Sequence, residues 1–194
     1  WMGIPTDVPD PGSSDHGAAL IDAVARSVAL TQGRTFVLFT SYAMLRRTAE
    51  GVGRLLGRDY AILKQGDLPR ERLLALFRDG KRSVLFGTDS FWEGVDVRGD
   101  ALSCVILTRL PFRVPNEPIQ RARAERIEAR GGDAFSEMSV PQAVLRFRQG
   151  FGRLIRHRQD RGVVLVLDGR IVKRRYGRRF LSSLSEGVTP HSAP

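Results

Sequence analysis

The sequence contains almost no cysteine. Cys104 is the only one among 194 residues, and it lies inside the apolar run LSCVILTRL, so we expect it to be a small buried residue. One cysteine excludes an internal disulfide, and it excludes an iron–sulfur cluster held by this chain alone. The three histidines, His16, His157 and His191, are far apart and lack the spacing of metal ligands. We therefore predict no metal site within the chain.

Long hydrophobic runs are also missing. No apolar run approaches the roughly 18 residues needed to cross a bilayer. The N-terminal residues have neither the charged and apolar regions of a signal peptide nor the composition of a transit peptide. We expect a cytoplasmic protein with no membrane partner.

Lysine is scarce, although the chain is strongly basic. Of 31 basic residues only Lys64, Lys81 and Lys173 are lysines, and the formal net charge is +10. Such a charge attracts phosphate-rich partners and makes their binding salt-dependent. A GC-rich coding sequence would produce the same excess of arginine without any selection for binding. The charge alone leaves nucleic-acid binding open.

Two nucleotide-binding motifs are absent. The sequence contains no G-x-x-x-x-G-K-[ST] run, which would cradle phosphates, and no D-E-x-[DH] run, which would hold a catalytic magnesium ion. We therefore expect this chain by itself not to hydrolyse a nucleotide.

The apolar runs that are present predict an α/β fold. Five short runs, rich in β-branched or aromatic residues, are typical of buried parallel strands: TFVLFT, YAIL, SVLFGT, CVILT and VVLVLD. Amphipathic patterns between them predict helices over residues 18–30, 43–56, 70–77, 118–130 and 141–156. The alternation indicates a mainly parallel sheet with helices on both faces. Ligands then bind at the edge formed by the carboxyl ends of the strands.

The same patterns predict the domain boundaries. The start, WMGIPTDVPDPGSSDHG, is typical of a loop inside a longer protein, so we expect residues 1–16 to be a linker and the chain to be a fragment. One domain is expected over residues 17–186, with an insertion at 111–141 that begins as a proline-rich extended connection. Residues 187–194 are expected to form a flexible tail.

The stretch QGFGRLIRHRQDRG, residues 149–162, precedes the last predicted strand. On a continuous helix, Gln149, Arg153 and Arg156 would share one stripe, because they are spaced i, i+4 and i+7. Gly150 and Gly152 would flank that stripe and let another surface come close. Arginine forks bind phosphate oxygens bidentately, so a phosphate is one candidate partner. A solvated basic face explains the same pattern and stays open.

The stretch FGTDSFWEGVDVRGD directly follows the predicted strand SVLF. Small, hydroxyl and acidic residues at a strand's carboxyl end can contact a phosphodiester or ribose hydroxyls, although a turn would use the same residue types. Phe91 and Trp92 are candidates either for base stacking or for packing. Thr40 and Ser41 in TSYAML either cap the next helix or contact a phosphate.

Three blocks taken together resemble motifs IV, V and VI of superfamily 2 DNA helicases of the DinG/XPD type. They are FVLFTSYAML, GTDSFWEGVDVRGD and QGFGRLIRHRQDRGVVLVLD, in this order. ALSCVILTRLPF and VPQAVLRFRQGFGRLIR resemble the bacterial DinG branch in particular. The resemblance extends over residues 33–184, which is most of the chain.

Such helicases have two RecA-like domains with ATP and Mg²⁺ between them, and this chain resembles the second. The resemblance implies that the P-loop and the acidic box lie on an N-terminal RecA-like domain of the same protein. It implies single-stranded DNA as a partner, unwinding in the 5′ to 3′ direction, a role in DNA repair, and a monomer. Some relatives carry an iron–sulfur cluster in the first domain.

The resemblance also assigns roles to residues. Arg156 corresponds to the arginine finger and Arg153 to its partner near the γ-phosphate. The residues assigned to the nucleotide are Gln149, Gly152, Glu93, Gly94 and Asp96. The residues assigned to single-stranded DNA are Ser41, Gln65, Gly66, Thr88 and Ser90.

Two other functions remain compatible with the residues. A nucleic-acid-binding α/β module without motor activity would also be basic and would also lack a P-loop. A degenerate RecA-like domain could serve only as a platform for protein interactions. A P-loop in the reading frame before Trp1 would distinguish the motor from both.

Overall fold

The computed structural model describes residues 1–88, 91, 102–113, 118–152, 162–184 and 190–193. Seven strands form one sheet in the order β3-β4-β2-β5-β6-β1-β7. Their bounds are Met2–Pro5 (β1), Thr35–Phe39 (β2), Ala61–Lys64 (β3), Ser83–Thr88 (β4), Cys104–Leu107 (β5), Val163–Val166 (β6) and Pro190–Ala193 (β7). Every pairing is parallel. The carboxyl ends of the strands therefore lie along one edge.

Helices cover both faces of this sheet. They are His16–Leu30 (α1), Tyr42–Leu56 (α2), Arg70–Asp79 (α3), Pro118–Ala129 (α4), Val140–Phe151 (α5), Arg170–Lys173 (α6) and Gly177–Leu181 (α7). Successive residues of β2 point to opposite faces, as strand geometry requires. Phe36 and Leu38 pack with buried residues of α3, α5 and α7, whereas Val37 and Phe39 pack with those of α1 and α2. The predicted class, a parallel α/β sheet with helices on both faces, is confirmed.

All five predicted strands are present, and the predicted burial of Cys104 is confirmed. The expectation for the two ends of the chain is wrong. Residues 2–5, expected to belong to a linker, form β1, in which Met2 and Ile4 are buried. Residues 190–193, expected to lie in a flexible tail, form β7 and pair with β1. Both segments are short and contain glycine or proline, so they resemble loops until a neighbouring strand supplies hydrogen-bond partners.

The helix predicted to run to residue 156 ends earlier. Helix α5 ends at Phe151, and the N–H of Gly152 donates to the carbonyl oxygen of Arg148 at 2.8 Å. Glycine is a poor helix former, and two glycines fall in this last turn. The part of the predicted helix beyond Gly152 lies outside the described residues.

The predicted insertion contributes aromatic side chains to the packing. The Phe112 ring lies 5.4 Å from the rings of Phe135 and Tyr176, centroid to centroid, and 5.8 Å from that of Phe180. The short helices α6 and α7, which the sequence patterns do not predict, bring Tyr176 and Phe180 to this cluster. Among the described residues, no helix is both long enough and apolar enough to cross a membrane.

Candidate functional site

Four residues assigned to DNA lie at the carboxyl ends of three neighbouring strands. Ser41 follows β2, Gln65 and Gly66 follow β3, and Thr88 ends β4. Because β3, β4 and β2 are adjacent and parallel, these residues share one part of the sheet edge. The fifth, Ser90, lies outside the described residues.

Gln65 and Thr88 are joined directly. The side-chain oxygen Oε1 of Gln65 accepts from the backbone N–H of Thr88 at 2.7 Å and from its hydroxyl at 3.0 Å. The backbone N–H of Gln65 donates to the carbonyl oxygen of Phe86 at 2.9 Å, which extends the pairing of β3 with β4. The side-chain oxygen of Gln65 therefore positions Thr88 through two hydrogen bonds.

Gly66 is required by its neighbour Tyr42. Its φ is +98°, in the region that favours glycine, and a Cβ at this position would overlap the Tyr42 hydroxyl. That hydroxyl donates to the carbonyl oxygen of Gln65 at 2.9 Å. The start of α2 and the end of β3 are thus tied together over an exposed surface, where a ligand can approach the backbone.

Ser41 caps α2, one of the two roles left open by the sequence. Its backbone is extended, with φ −143° and ψ 129°, and its hydroxyl oxygen accepts from the N–H of Met44 at 3.5 Å. This distance is long for a cap, and Ser41 is exposed. The hydroxyl remains accessible to a phosphate.

Phe91 packs rather than presenting a stacking surface. Its side chain is 5% exposed, and its ring meets Phe36 edge-on with centroids 6.2 Å apart. Gly87 gives this ring room, because a Cβ there would lie 3.1 Å from both Phe36 and Phe91. Trp92 and the predicted nucleotide residues Glu93, Gly94 and Asp96 lie outside the described residues.

Two nucleotide residues of the third block, Gln149 and Gly152, lie at the end of α5. Gln149 is exposed on the last turn, and Gly152 directly follows the helix. Gly150, which was expected to let another surface come close, is buried within the domain. The helix that carries Gln149 ends before Arg153, and Arg153 and Arg156 lie outside the described residues. Their common stripe stays a prediction.

An ion pair that the sequence patterns do not predict lies at the end of β6, between the buried carboxylate of Asp168 and the half-buried Arg170. Asp168 is 0% exposed, and its carboxylate accepts from Arg170 at 2.9 Å and 2.6 Å and from the N–H of Leu110 at 2.9 Å. Burial alone would raise the pKa of Asp168. These hydrogen bonds together lower the pKa by more than burial raises it, so the net shift is downward. The signal in the sequence was an aspartate directly after the apolar run VVLVL.

Neighbouring contacts anchor the N-terminal segment to this end of the sheet. Arg109, which follows β5, donates to the carbonyl oxygen of Pro11 at 2.9 Å. Lys173 pairs with Asp10 at 3.1 Å, and a ring nitrogen of His16 lies 2.8 Å from the carbonyl oxygen of Pro9. Three separate elements therefore hold residues 9–11.

No group of three or more potential metal-binding side chains is found among the described residues. Burial raises the pKa of the Cys104 thiol to about 12, although a hydrogen bond with Thr35 lowers it. A protonated thiol is a poor nucleophile and a poor metal ligand, so Cys104 has a packing role.

Comparison with protein families and curated relatives places the chain among helicases. The family described as "Helicase C-terminal domain" matches residues 24–187. The ATP-dependent DNA helicase YoaA of Haemophilus influenzae is 44% identical over 181 residues, which cover 93% of this chain and 28% of that protein. The ATP-dependent DNA helicase DinG of Photobacterium profundum is 43% identical over 155 residues, which cover 77% of this chain and 22% of that protein. The chain thus spans about a quarter of the length of these relatives.

The fold also matches solved helicase structures. An XPD helicase structure superposes with a TM-score of 0.73 at 19% identity, covering 99% of this chain and 35% of the XPD chain. At this identity the likeness concerns the fold alone, and it confirms the RecA-like fold that the resemblance implies.

Proposed function

Because the chain belongs to the helicase C-terminal domain family, we propose that it is the second motor domain of an ATP-dependent DNA helicase of the DinG type. The observation that carries the proposal is the grouping of Ser41, Gln65, Gly66 and Thr88 at one part of the sheet edge. These residues come from three separate stretches of the sequence, and the resemblance assigns them to one ligand.

Single-stranded DNA binds along this edge. Gly66 has an exposed backbone, Ser41 offers an exposed hydroxyl, and Thr88 is held by Gln65. Ser90 completes the set. Hydroxyls, backbone N–H groups and glycine suit a sugar–phosphate backbone and read no base sequence. The binding is therefore tolerant of sequence and weakens as salt is added.

ATP and Mg²⁺ bind between this domain and an N-terminal RecA-like domain of the same protein. The P-loop and the acidic box belong to that other domain, because this sequence contains neither. Arg156 stabilises the charge on the transferred phosphoryl group, and Arg153 acts beside it. Gln149, Gly152, Glu93, Gly94 and Asp96 line the nucleotide side. Gln149 is exposed at the end of α5, so its side chain is accessible to a nucleotide.

ATP binding closes the two domains, and hydrolysis reopens them and moves the strand 5′ to 3′. The chain by itself binds single-stranded DNA weakly and has negligible ATPase activity, since half of the nucleotide site is elsewhere. The parent protein acts as a monomer in the cytoplasm.

The arginine finger provides the test. In the full-length protein, Arg156→Ala should lower the DNA-stimulated ATPase rate by on the order of 10³ or more while single-stranded DNA affinity is retained. Arg148→Ala is the matched control, because Arg148 is an exposed arginine on the preceding helix. The finger is assigned to the wrong residue if Arg156→Ala retains most of its turnover. Robust ATP hydrolysis by the isolated chain would contradict the two-domain proposal itself.

A further inference from the structure

Arg70 contacts Phe91, which follows β4 in the sequence. It is the first residue of α3, and its guanidinium carbon lies 5.4 Å from the centroid of the Phe91 ring. Its Nη2 donates to the carbonyl oxygen of Phe91 at 3.3 Å. Phe91 also packs against Phe36, so Arg70 contacts a residue whose position is restricted by the core.

The position of Arg70 is not explained by helix preference. A cation in the first turn of a helix faces the positive end of the helix dipole, which is unfavourable. The contact with Phe91 offsets this cost, because a guanidinium group over an aromatic face and a charge-assisted hydrogen bond are both favourable.

Gln65 contacts Thr88, which precedes Phe91 by three positions in the sequence. It holds Thr88 through its side-chain oxygen, and its own backbone is fixed by Phe86 on one side and by Tyr42 on the other. Gln65 begins the short connection between β3 and α3, and Arg70 is the first residue of α3. These two residues therefore hold the last residue of β4, Thr88, and a residue that follows the strand, Phe91.

We propose that Gln65 and Arg70 are positioning residues that set the start of the segment after β4, through which DNA binding is coupled to ATP hydrolysis. The inference rests on the proposed function, which assigns Ser90 to DNA and Glu93 and Asp96 to the nucleotide. In the sequence, Ser90 lies between the two held residues, and Glu93 and Asp96 follow Phe91. Removing one of these two contacts leaves the DNA-binding surface in place but reduces the stimulation of ATP hydrolysis by bound DNA.

The test uses the full-length helicase and separates turnover from DNA binding. Arg70→Met removes the charge and the donor but keeps an apolar stem, and Arg70→Lys keeps the charge without the guanidinium fork. Arg72→Met is the matched control, because Arg72 is an exposed arginine in the same turn. The measurements are the ATPase rate at saturating oligothymidylate, the half-saturating DNA concentration, and DNA affinity by fluorescence anisotropy without nucleotide.

We expect Arg70→Met to lower the DNA-saturated rate about tenfold, the effect of losing about 1.4 kcal/mol of positioning energy. DNA affinity should change less than about twofold, Arg70→Lys should be intermediate, and Arg72→Met should match the wild type. Combining Arg70→Met with Gln65→Ala should cost less than the product of the two single effects, because both act on one segment.

Two results would overturn the inference. If Arg70→Met weakens DNA binding and its salt dependence while the saturated rate is normal, Arg70 is a phosphate contact. If neither quantity changes, the contact only packs the surface. Should Arg70→Met fail to fold, Arg70→Lys gives the same two readouts. A wild-type protein whose ATPase does not respond to DNA would instead contradict the proposed function, whatever Arg70 does.

Discussion

The two halves of the sheet edge are built from different interactions. At the ends of β3 and β4, Gln65, Thr88 and Tyr42 exchange hydrogen bonds between neutral groups that are half-buried or exposed. At the end of β6, a fully buried carboxylate is held by Arg170 and by the N–H of Leu110. Neutral, accessible groups can replace one partner with water or a ligand at small cost, whereas a buried charge cannot lose its partner. One half of the edge is suited to binding and the other to holding the scaffold.

The largest expected effect comes from breaking the buried half. Asp168→Ala should lower the free energy of unfolding by about 3 kcal/mol, because it leaves Arg170 and a buried N–H without their acceptor. Asp22→Ala is the control: Asp22 pairs with Arg26 at 3.1 Å, but both side chains are about 60% exposed, so the loss should stay below about 1 kcal/mol. Urea unfolding measures both, and equal losses would contradict the proposed division of the edge.

The next effect tests how tightly the neutral half is packed. Gly66→Ala should cost about 2 kcal/mol, since it adds strain at positive φ and an overlap with the Tyr42 hydroxyl. Gly131→Ala is matched for backbone strain, with φ +79° and no atom within 4 Å of the new Cβ, and should cost about 1 kcal/mol. Adding Tyr42→Phe to Gly66→Ala should recover part of the difference. A loss at Gly66 no larger than at Gly131 would mean that Tyr42 moves away freely.

Acid should weaken the buried half selectively. The pKa of Asp168 is lowered in the folded protein, while an aspartate in the unfolded chain has a pKa of about 3.9. The unfolded chain thus takes up a proton first, and stability falls as the pH drops below about 4 toward the folded pKa. Urea unfolding between about pH 5 and pH 3 should show a shallower pH dependence for Asp168→Asn than for the wild type, by at most about 1.4 kcal/mol per pH unit. An unchanged slope would show that Asp168 is not the group responsible.

The sheet was predictable where burial dictates the residue types. Strands covered on both faces must be apolar along their whole length, which is why TFVLF and CVIL were recognised. β1 and β7 were missed because MGIP and PHSA carry no such pattern and form strands only where the sheet offers an edge. The ending of α5 was missed because helical periodicity continues through two glycines that stop the helix.

The candidate site was predictable as a location but not as a set of contacts. Placing Ser41, Gln65 and Thr88 at one edge requires only that parallel strands end together. Three contacts depend on β3 lying beside β4, which local sequence patterns do not reveal. They are the hydrogen bonds between Gln65 and Thr88, the hydrogen bond from Tyr42 to Gln65, and the contact of Arg70 with Phe91. The buried pair Asp168 and Arg170 was missed for the opposite reason, because two residues adjacent to a strand end look like an ordinary polar turn.

The smallest expected effect concerns the hydroxyl of Tyr42. Tyr42→Phe removes one donor to the carbonyl oxygen of Gln65, on a side chain that is 44% exposed. Water can replace the hydroxyl there, so the free energy of unfolding should fall by only about 0.5 kcal/mol. Tyr60→Phe is the control, because the contact of Tyr60 with Arg82 uses the ring rather than the hydroxyl, and we expect a still smaller change. If Tyr42→Phe cost as much as Asp168→Ala, the neutral half would be as rigid as the buried half, and the edge would have no part able to exchange its own hydrogen bonds for those of DNA.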